Sequence, residues 1–319
     1  MKVGIVGAGA IGGWIGASLA VAGSPVSVLA RGATLENIQA NGIVLHQDGE
    51  SIAPSVAVSA NAAELGPQDL LVIAVKAPAL QVAAQAARPL IDRDTVIIPM
   101  LNGVPWWFLG DRPDLRPASL DPDGKIGTAL PADQVIGCVV HASCSTLEPG
   151  VIRRHFGKGL ILGEPSHATT SRLERVSTLL REAGLDVTLS DRIQQDIWYK
   201  LWGNMTMNPI SALTRATADR ILDDELVAAF TLRIMAEAAE IGAAIGCPIT
   251  ESGEDRMLVT RKLGAFKTSM LQDVEAGRAI EVDALIGAPR AIGAKAGIAT
   301  PYMDALLGMT RLFDSGRTL

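Results

Sequence analysis

The sequence predicts an α/β domain built on a parallel sheet, followed by an all-α domain. Short uncharged β runs alternate with helical stretches through the first part of the chain, and a glycine-rich turn joins the first run to the first helix. Beyond Asp191 helical spacing takes over and no convincing strand appears. A chain of 319 residues is also long for one hydrophobic core and suits two domains. The boundary is expected near residues 190–192, giving domains over 1–191 and 192–319.

Residues 2–6 are a short apolar β run ending at Gly7, and residues 14–21 show an apolar helix pattern. Val26–Leu29 is a second run, β-branched and uncharged, as a strand buried on both faces should be. Residues 70–75 (LLVIAV) and 95–100 (TVIIPM) repeat that signature with helical sequence between them. Strands alternating with helices imply βαβ units and hence a parallel sheet. Residues 135–142 add a further strand, and 150–163 alternate around central glycines as a hairpin at the sheet edge would. Residues 110–137, with Pro113, Pro117, Pro122 and Pro131, read as an extended loop. Helices are expected over 196–208, 223–242, 254–271 and 280–297.

Composition excludes several classes. Hydrophobic residues make up 48% and charged residues 19%, as in globular chains. A net charge of −6, without any basic stripe, makes nucleic acid and anionic membrane poor partners. Cys138, Cys144 and Cys247 are too few and too scattered for a disulfide framework, which suits a reducing cytoplasm. Residues 3–30 carry no charge and follow Lys2, superficially like an export leader. The same run holds seven glycines and the pair Ser24-Pro25, so it reads better as strand, glycine turn, buried helix and strand. The oligomeric state is not written in the sequence, and a homodimer is left open.

Gly7-Ala8-Gly9-Ala10-Ile11-Gly12 is G-x-G-x-x-G, placed directly after a strand and opening a helix. Gly7 permits the tight turn, Gly9 lets the backbone approach a pyrophosphate, and Gly12 allows helix and strand to pack closely. The helix N-terminus then offers unpaired N–H groups and partial positive charge to phosphates. These features define a Rossmann dinucleotide-binding domain. An NAD enzyme would usually carry an acid at the end of the second strand for the ribose 2′-hydroxyl. Ala30-Arg31-Gly32 stands there instead. A guanidinium suits a 2′-phosphate, so NADP is the expected cofactor.

The densest chemical signal is DIWYKLWGNMTMNP over residues 196–209. Lys200, Asn204 and Asn208 recur every four residues and share one helix face, with Trp198, Leu201, Trp202, Met205 and Met207 around them. A solvated stripe would more often hold Glu, Lys and Gln. Asparagine is a mediocre helix former, and Asn208 precedes a proline, where helix is disfavoured. Two residues that local propensity would avoid, aligned with a lysine, point to function. Carbonyl reduction needs a proton donor beside the alkoxide formed as hydride arrives, and an ammonium serves. Amide side chains can hold substrate oxygens without adding net charge.

The pattern K-L-x-x-N-x-x-x-N-P, with the N-terminal G-x-G-x-x-G and the later T-S-M-L-Q-D, resembles the ketopantoate reductase (2-dehydropantoate 2-reductase) family over nearly the whole chain. The resemblance implies NADPH-dependent reduction of a 2-keto acid to the 2-hydroxy acid, with ketopantoate going to pantoate. By the same resemblance Lys200 is the general acid, and Asn204, Asn208 and Ser269 contact the substrate. Glu281, twelve residues beyond Ser269, matches a cofactor-contacting glutamate. Lys76 matches a cofactor-contacting lysine, Asn102 a residue touching both nicotinamide and substrate, and Ala142 a backbone contact to cofactor. Lys76 and Glu281 would otherwise read as surface charges.

Departures from the family pattern bear on the substrate. Trp106-Trp107-Phe108 follows Asn102-Gly103 after only Val104-Pro105, and reads either as packing of a long loop or as a substrate lid. Ala218 stands where the family has a further substrate-binding asparagine, and Phe266-Lys267 where an asparagine is frequent. A related dehydrogenase acting on a different 2-keto or β-hydroxy acid is the alternative, and a non-catalytic NADP(H)-binding sensor is the third. A sensor would need the glycine loop and Arg31 but not the Lys-Asn-Asn stripe. Cys138-x-x-His141-x-x-Cys144 lacks a fourth ligand, so no metal is expected. His46, His141, His155 and His167 all lie outside the helices that carry the stripe, leaving a histidine mechanism unsupported.

Overall fold

A computed structural model describes residues 1–317. The chain forms two compact units, one of Met1–Leu101 with Asp123–Asp196, the other of Asn102–Pro122 with the chain from Ile197 onward. The strands are β1 (Val3–Val6), β2 (Val26–Leu29), β3 (Val44–Gln47), β4 (Glu50–Ile52), β5 (Ala57–Ser59), β6 (Leu70–Ile73), β7 (Val96–Pro99), β8 (Gly137–Glu148), β9 (Val151–Gly163) and β10 (Asp186–Leu189). In the first unit the helices are α1 (Ala10–Val21), α2 (Gly32–Asn41), α3 (Ala62–Leu65), α4 (Leu80–Ala87), α5 (Lys125–Ala129) and α6 (Ser171–Glu182). The second holds most of α7 (Ile193–Thr214), then α8 (Ala218–Asp223), α9 (Glu225–Ala244), α10 (Gly253–Arg261), α11 (Ser269–Glu275), α12 (Ala288–Lys295) and α13 (Pro301–Arg317).

One sheet of the first unit is wholly parallel, in the order β5-β2-β1-β6-β7. Val3 stands opposite Val26 on one side and Leu70 on the other. Residues of β1 and β6 are buried throughout, because helices cover both faces of such a sheet. α1 is apolar all round for the same reason, burying Gly12 through Leu19. The charge-free run of residues 3–30 is therefore β1, α1 and β2. Among the described residues no helix is long and apolar enough to cross a membrane.

A second sheet runs β10-β9-β3-β4, with β8 antiparallel to β9. Here the structure corrects the sequence reading. Residues 150–163 are not a hairpin by themselves but one strand of a long ribbon whose turn lies at Pro149-Gly150. Gly157, one of the central glycines, has φ +73° inside the ribbon. A Cβ there would stand 2.5 Å from the His141 carbonyl oxygen, so the glycine permits a close backbone approach at an irregularity.

The proline-rich loop is also divided. Through Pro122 it belongs to the second unit, and from Asp123 it returns to the first and forms α5. The unit border at Asp196/Ile197 falls inside α7, a few residues past the expected 191/192. Trp106, Trp107, Phe108 and Leu109 are buried, which gives this loop its own share of the second core.

The second unit is helical, but its helices differ in extent from the expectation. α7 runs straight through Asn208-Pro209, although the proline has no N–H to give. Met205, Ile210, Ser211 and Ala212 around it are buried, and that packing overrides local propensity. Trp198 and Trp202 of α7 donate their indole N–H groups to Ala238 (3.2 Å) and Met235 (2.8 Å) carbonyls of α9. The expected helix over 254–271 breaks at Gly264, φ +62°, into α10 and α11. Residues 283–287 form a π-helical turn ahead of α12.

Candidate active site

The first unit carries the nucleotide cradle. Gly7 has φ +94°, and a Cβ on it would lie 2.7 Å from the Ala74 carbonyl oxygen. A Cβ on Gly12 would stand 2.0 Å from the Gly7 carbonyl oxygen, so both positions demand glycine on packing grounds alone. Gly9, the N-cap of α1, differs: a Cβ there would meet nothing within 4 Å. Its lack of a side chain leaves room that the fold itself does not use. Ala8 is buried, whereas Ala10 and Ile11 open the helix, whose first turn holds no acid. Free N–H groups, a positive helix end and open space fit a dinucleotide pyrophosphate.

Arg31 is exposed directly beyond β2, at the N-cap position of α2, and its side chain makes no cap hydrogen bond. The first turn of α2 also lacks an acid. Beside it Ala30 N–H donates to the Ser59 carbonyl at 3.1 Å. Glu64 accepts from the Ser59 hydroxyl at 2.6 Å, which commits the nearby carboxylate to a local contact. Lys76 is exposed just past β6, ahead of the 3-10 turn Ala77–Ala79. Ala142 falls where the β8–β9 register shifts between His141 and Ser143, so its main chain leaves the regular ladder.

The second unit gathers the polar stripe. Lys200 and Asn204 are partly exposed on α7, and Asn208 is buried. Asn204 Nδ2 donates to Asn102 Oδ1 at 3.0 Å, and Asn208 Nδ2 donates to Ser269 Oγ at 3.4 Å. Residues some hundred and sixty positions apart in the chain are thus drawn to one helix face. Ser269 opens α11, held there by Thr268, whose hydroxyl accepts from Leu271 N–H at 3.2 Å. Glu281 is buried shortly before the π-turn. Asn102, Lys200, Asn204, Asn208, Ser269 and Glu281 all belong to this unit; Gly7–Gly12, Arg31, Lys76 and Ala142 belong to the other. An ammonium and amides on one face can hold an oxyanion and deliver a proton to it.

Sequence reasoning missed what surrounds the stripe. Tyr199 donates its hydroxyl to Glu251, and the Arg256 guanidinium sits 4.9 Å above the Tyr199 ring centre. Burial and the Glu251 carboxylate push the Tyr199 phenol above its usual range, against the Arg256 charge. A Cβ on Gly203 would lie 3.1 Å from the guanidinium, so this glycine makes room for it. Gly103 has φ +95°, and the turn signal of Asn-Gly after a strand was not drawn from the sequence. Trp106, Trp107 and Phe108 are all buried. Around Cys138, His141 and Cys144 burial pushes the Cys144 thiol up to about 12, with Arg154 pulling it down. Among the described residues no group of three or more His, Cys, Asp or Glu is placed to hold a metal ion.

The family model described as ketopantoate reductase PanE/ApbA matches residues 3–167, and its C-terminal counterpart matches 192–314. A 2-dehydropantoate 2-reductase of Mesorhizobium japonicum is 42% identical over 316 residues, covering 98% of this chain and 97% of that protein. A Ralstonia solanacearum structure, provisionally described as a ketopantoate reductase, superposes with a TM-score of 0.94 at 50% identity, covering 99% of this chain and 98% of its own. A 2-dehydropantoate 2-reductase from Geobacter metallireducens gives 0.86 at 28% identity, with 98% and 100% covered.

Proposed function

The chain belongs to the ketopantoate reductase family, and from that premise we propose that it reduces 2-dehydropantoate to pantoate with NADPH, using Lys200 as proton donor. One observation carries the reading: Lys200, Asn204 and Asn208 share a helix face, and both amides are tied to partners, Asn102 and Ser269, that the same reaction calls for. A dinucleotide held by the Gly7–Gly12 loop would supply the hydride that reduces the C2 carbonyl carbon. As the carbonyl carbon is reduced, its π pair would pass to oxygen, and the Lys200 Nζ–H bond would break to protonate that oxygen. Asn102 and Asn204 orient the reacting oxygen, while Asn208 and Ser269 hold the rest of the acid. Lys76, Ala142 and Glu281 are assigned to the cofactor, together with the Gly7–Gly12 loop.

NADP is preferred over NAD on the exposed Arg31 guanidinium and the absence of an acid from the first turn of α2. A cytoplasmic setting accords with three scattered free thiols. A homodimer accords with Tyr302, Met309 and Leu312, which expose 41%, 49% and 75% of their surface along one side of α13. Sedimentation velocity of the wild type against Leu312→Glu tests this, and a monomeric wild type refutes it.

A second substrate reading is favoured by Ala218, whose methyl replaces the family's amide and whose backbone N–H is already spent on the Phe266 carbonyl at 2.9 Å. A 2-keto acid lacking the hydroxyl of ketopantoate would not miss that amide. A steady-state screen of 2-keto acids with NADPH and with NADH decides between them. The first reading expects the highest kcat/KM for 2-dehydropantoate with NADPH, and a better substrate of another kind overturns it.

A further inference from the structure

Residues 102–109 wrap around α7 as a strap with three seats. At its start Asn102 Oδ1 accepts from Asn204 on the polar face of the helix. At its end Phe108 packs on Trp198, ring centres 6.3 Å apart. With about 100° of rotation per residue, Trp198 and Lys200 point in nearly opposite directions, so the strap spans from the polar face to the back of the helix. Between the two ends Gly103 lies against the π-turn Asp283–Gly287. A Cβ on Gly103 would stand 2.4 Å from the Ala284 carbonyl oxygen and 2.8 Å from its carbon. The turn is itself held, since Arg311 donates to Asp283 at 2.7 Å.

We propose that Gly103 and Phe108 are positioning residues that act through Asn102. Gly103 lets the strap lie flush on the π-turn, and Phe108 anchors it behind the helix. Asn102 then has one orientation on the polar face: Oδ1 is spent on Asn204, and Nδ2 is the donor presented to an acceptor oxygen of the bound ligand. The inference rests on the reading above that Asn102 serves nicotinamide and substrate. Buried aromatics explain why the device holds its register, for Trp106, Trp107 and Phe108 expose only 2–4% of their surface. A displacement of about 1 Å at a reacting group costs up to about a hundredfold in rate.

The test is a set of variants assayed with NADPH and the best 2-keto acid of the screen. Gly103→Ala and Phe108→Leu are each expected to lower kcat about tenfold to a hundredfold, with the Kd for NADPH within about twofold of wild type. Phe108→Tyr, which keeps the ring, is expected to restore most of the rate. In an Asn102→Ala background both substitutions should cost less than about twofold more, because residues acting through one group are not additive. Phe108→Leu carries the test alone should Gly103→Ala fail to fold. If Asn102→Ala leaves kcat intact, the reading of Asn102 itself falls, and this proposal with it. If Asn102→Ala is damaged but Gly103→Ala or Phe108→Leu costs the same factor in both backgrounds, only the positioning role is overturned.

Discussion

The two candidate sites are made of different material. The cradle at Gly7–Gly12 is built from backbone: its shape is set by what a Cβ would strike, 2.7 Å from Ala74 at Gly7 and 2.0 Å from Gly7 at Gly12. The stripe on α7 is built from side chains, and its shape is set by hydrogen bonds that reach Asn102 and Ser269. A backbone site is specified within six consecutive residues and fails by steric collision. A side-chain site is assembled from distant segments and fails by losing one chemical group. Substitutions in the two regions should therefore separate chemistry from architecture.

The largest effect is expected at Lys200. Removing a positioned general acid typically costs about a hundred- to ten-thousand-fold, or roughly 3–5.5 kcal/mol of barrier. Lys200→Ala should collapse kcat while the Kd for NADPH, measured by quenching of protein fluorescence, stays put, because the glycine loop and Arg31 lie in the other unit. Near-wild-type kcat would place the proton donor elsewhere. In the cradle the expected failure is structural. Gly12→Ala should destabilise the protein by on the order of 3 kcal/mol, read as a fall in Tm, since its Cβ meets a backbone carbonyl that cannot step aside. Gly9→Ala should leave Tm unchanged, with open space around its Cβ, yet weaken NADPH by about tenfold or more by filling the pyrophosphate's room. Equal Tm losses for the two would erase the distinction between packing glycine and ligand glycine.

That contrast also explains what the sequence made legible. The parallel sheet and the cradle were readable because strand, glycine turn, helix and strand are contiguous, and each obeys a local rule. The stripe was readable because its spacing is helical. Its partners were not readable from spacing: a segment of the first unit separates Asn102 from α7 along the chain, and Ser269 lies beyond three further helices, so only a family resemblance pointed to them. The hairpin expected over residues 150–163 shows a rule misapplied, since its central Gly157 serves a close approach between paired strands. Pro209 shows one overridden, since burial around Met205 and Ile210 outweighs the missing N–H. Short polar strands such as β4 (ESI) lack enough residues to show any period.

An intermediate effect is expected at Arg31, which belongs to the first region but acts through its side chain. If the guanidinium holds a 2′-phosphate, Arg31→Ala should weaken NADPH by about 1.5–3 kcal/mol and barely alter NADH. Titration of both cofactors checks this, and equal losses would show that Arg31 serves the fold or the adenine instead. The result sharpens the comparison, because it isolates a side-chain contribution within a backbone-built site.

The smallest effect is expected at Thr268, where the second region borrows a backbone device. Its hydroxyl accepts from Leu271 N–H at 3.2 Å and caps α11, whose first residue is Ser269. Thr268→Ala should cost about 1 kcal/mol of stability, the usual loss for an N-cap, whereas Thr268→Ser should cost little. Ser269 reaches the stripe through a long 3.4 Å bond to Asn208, so a frayed first turn would loosen the serine before it disturbed the lysine. The expected kinetic signature is a rise of a few-fold in KM for the 2-keto acid with kcat nearly unchanged, as when binding common to ground and transition states is lost. A fall in kcat with KM constant would mean that α11 positions the reacting centre itself, and the division of labour between Lys200 and Ser269 would have to be redrawn.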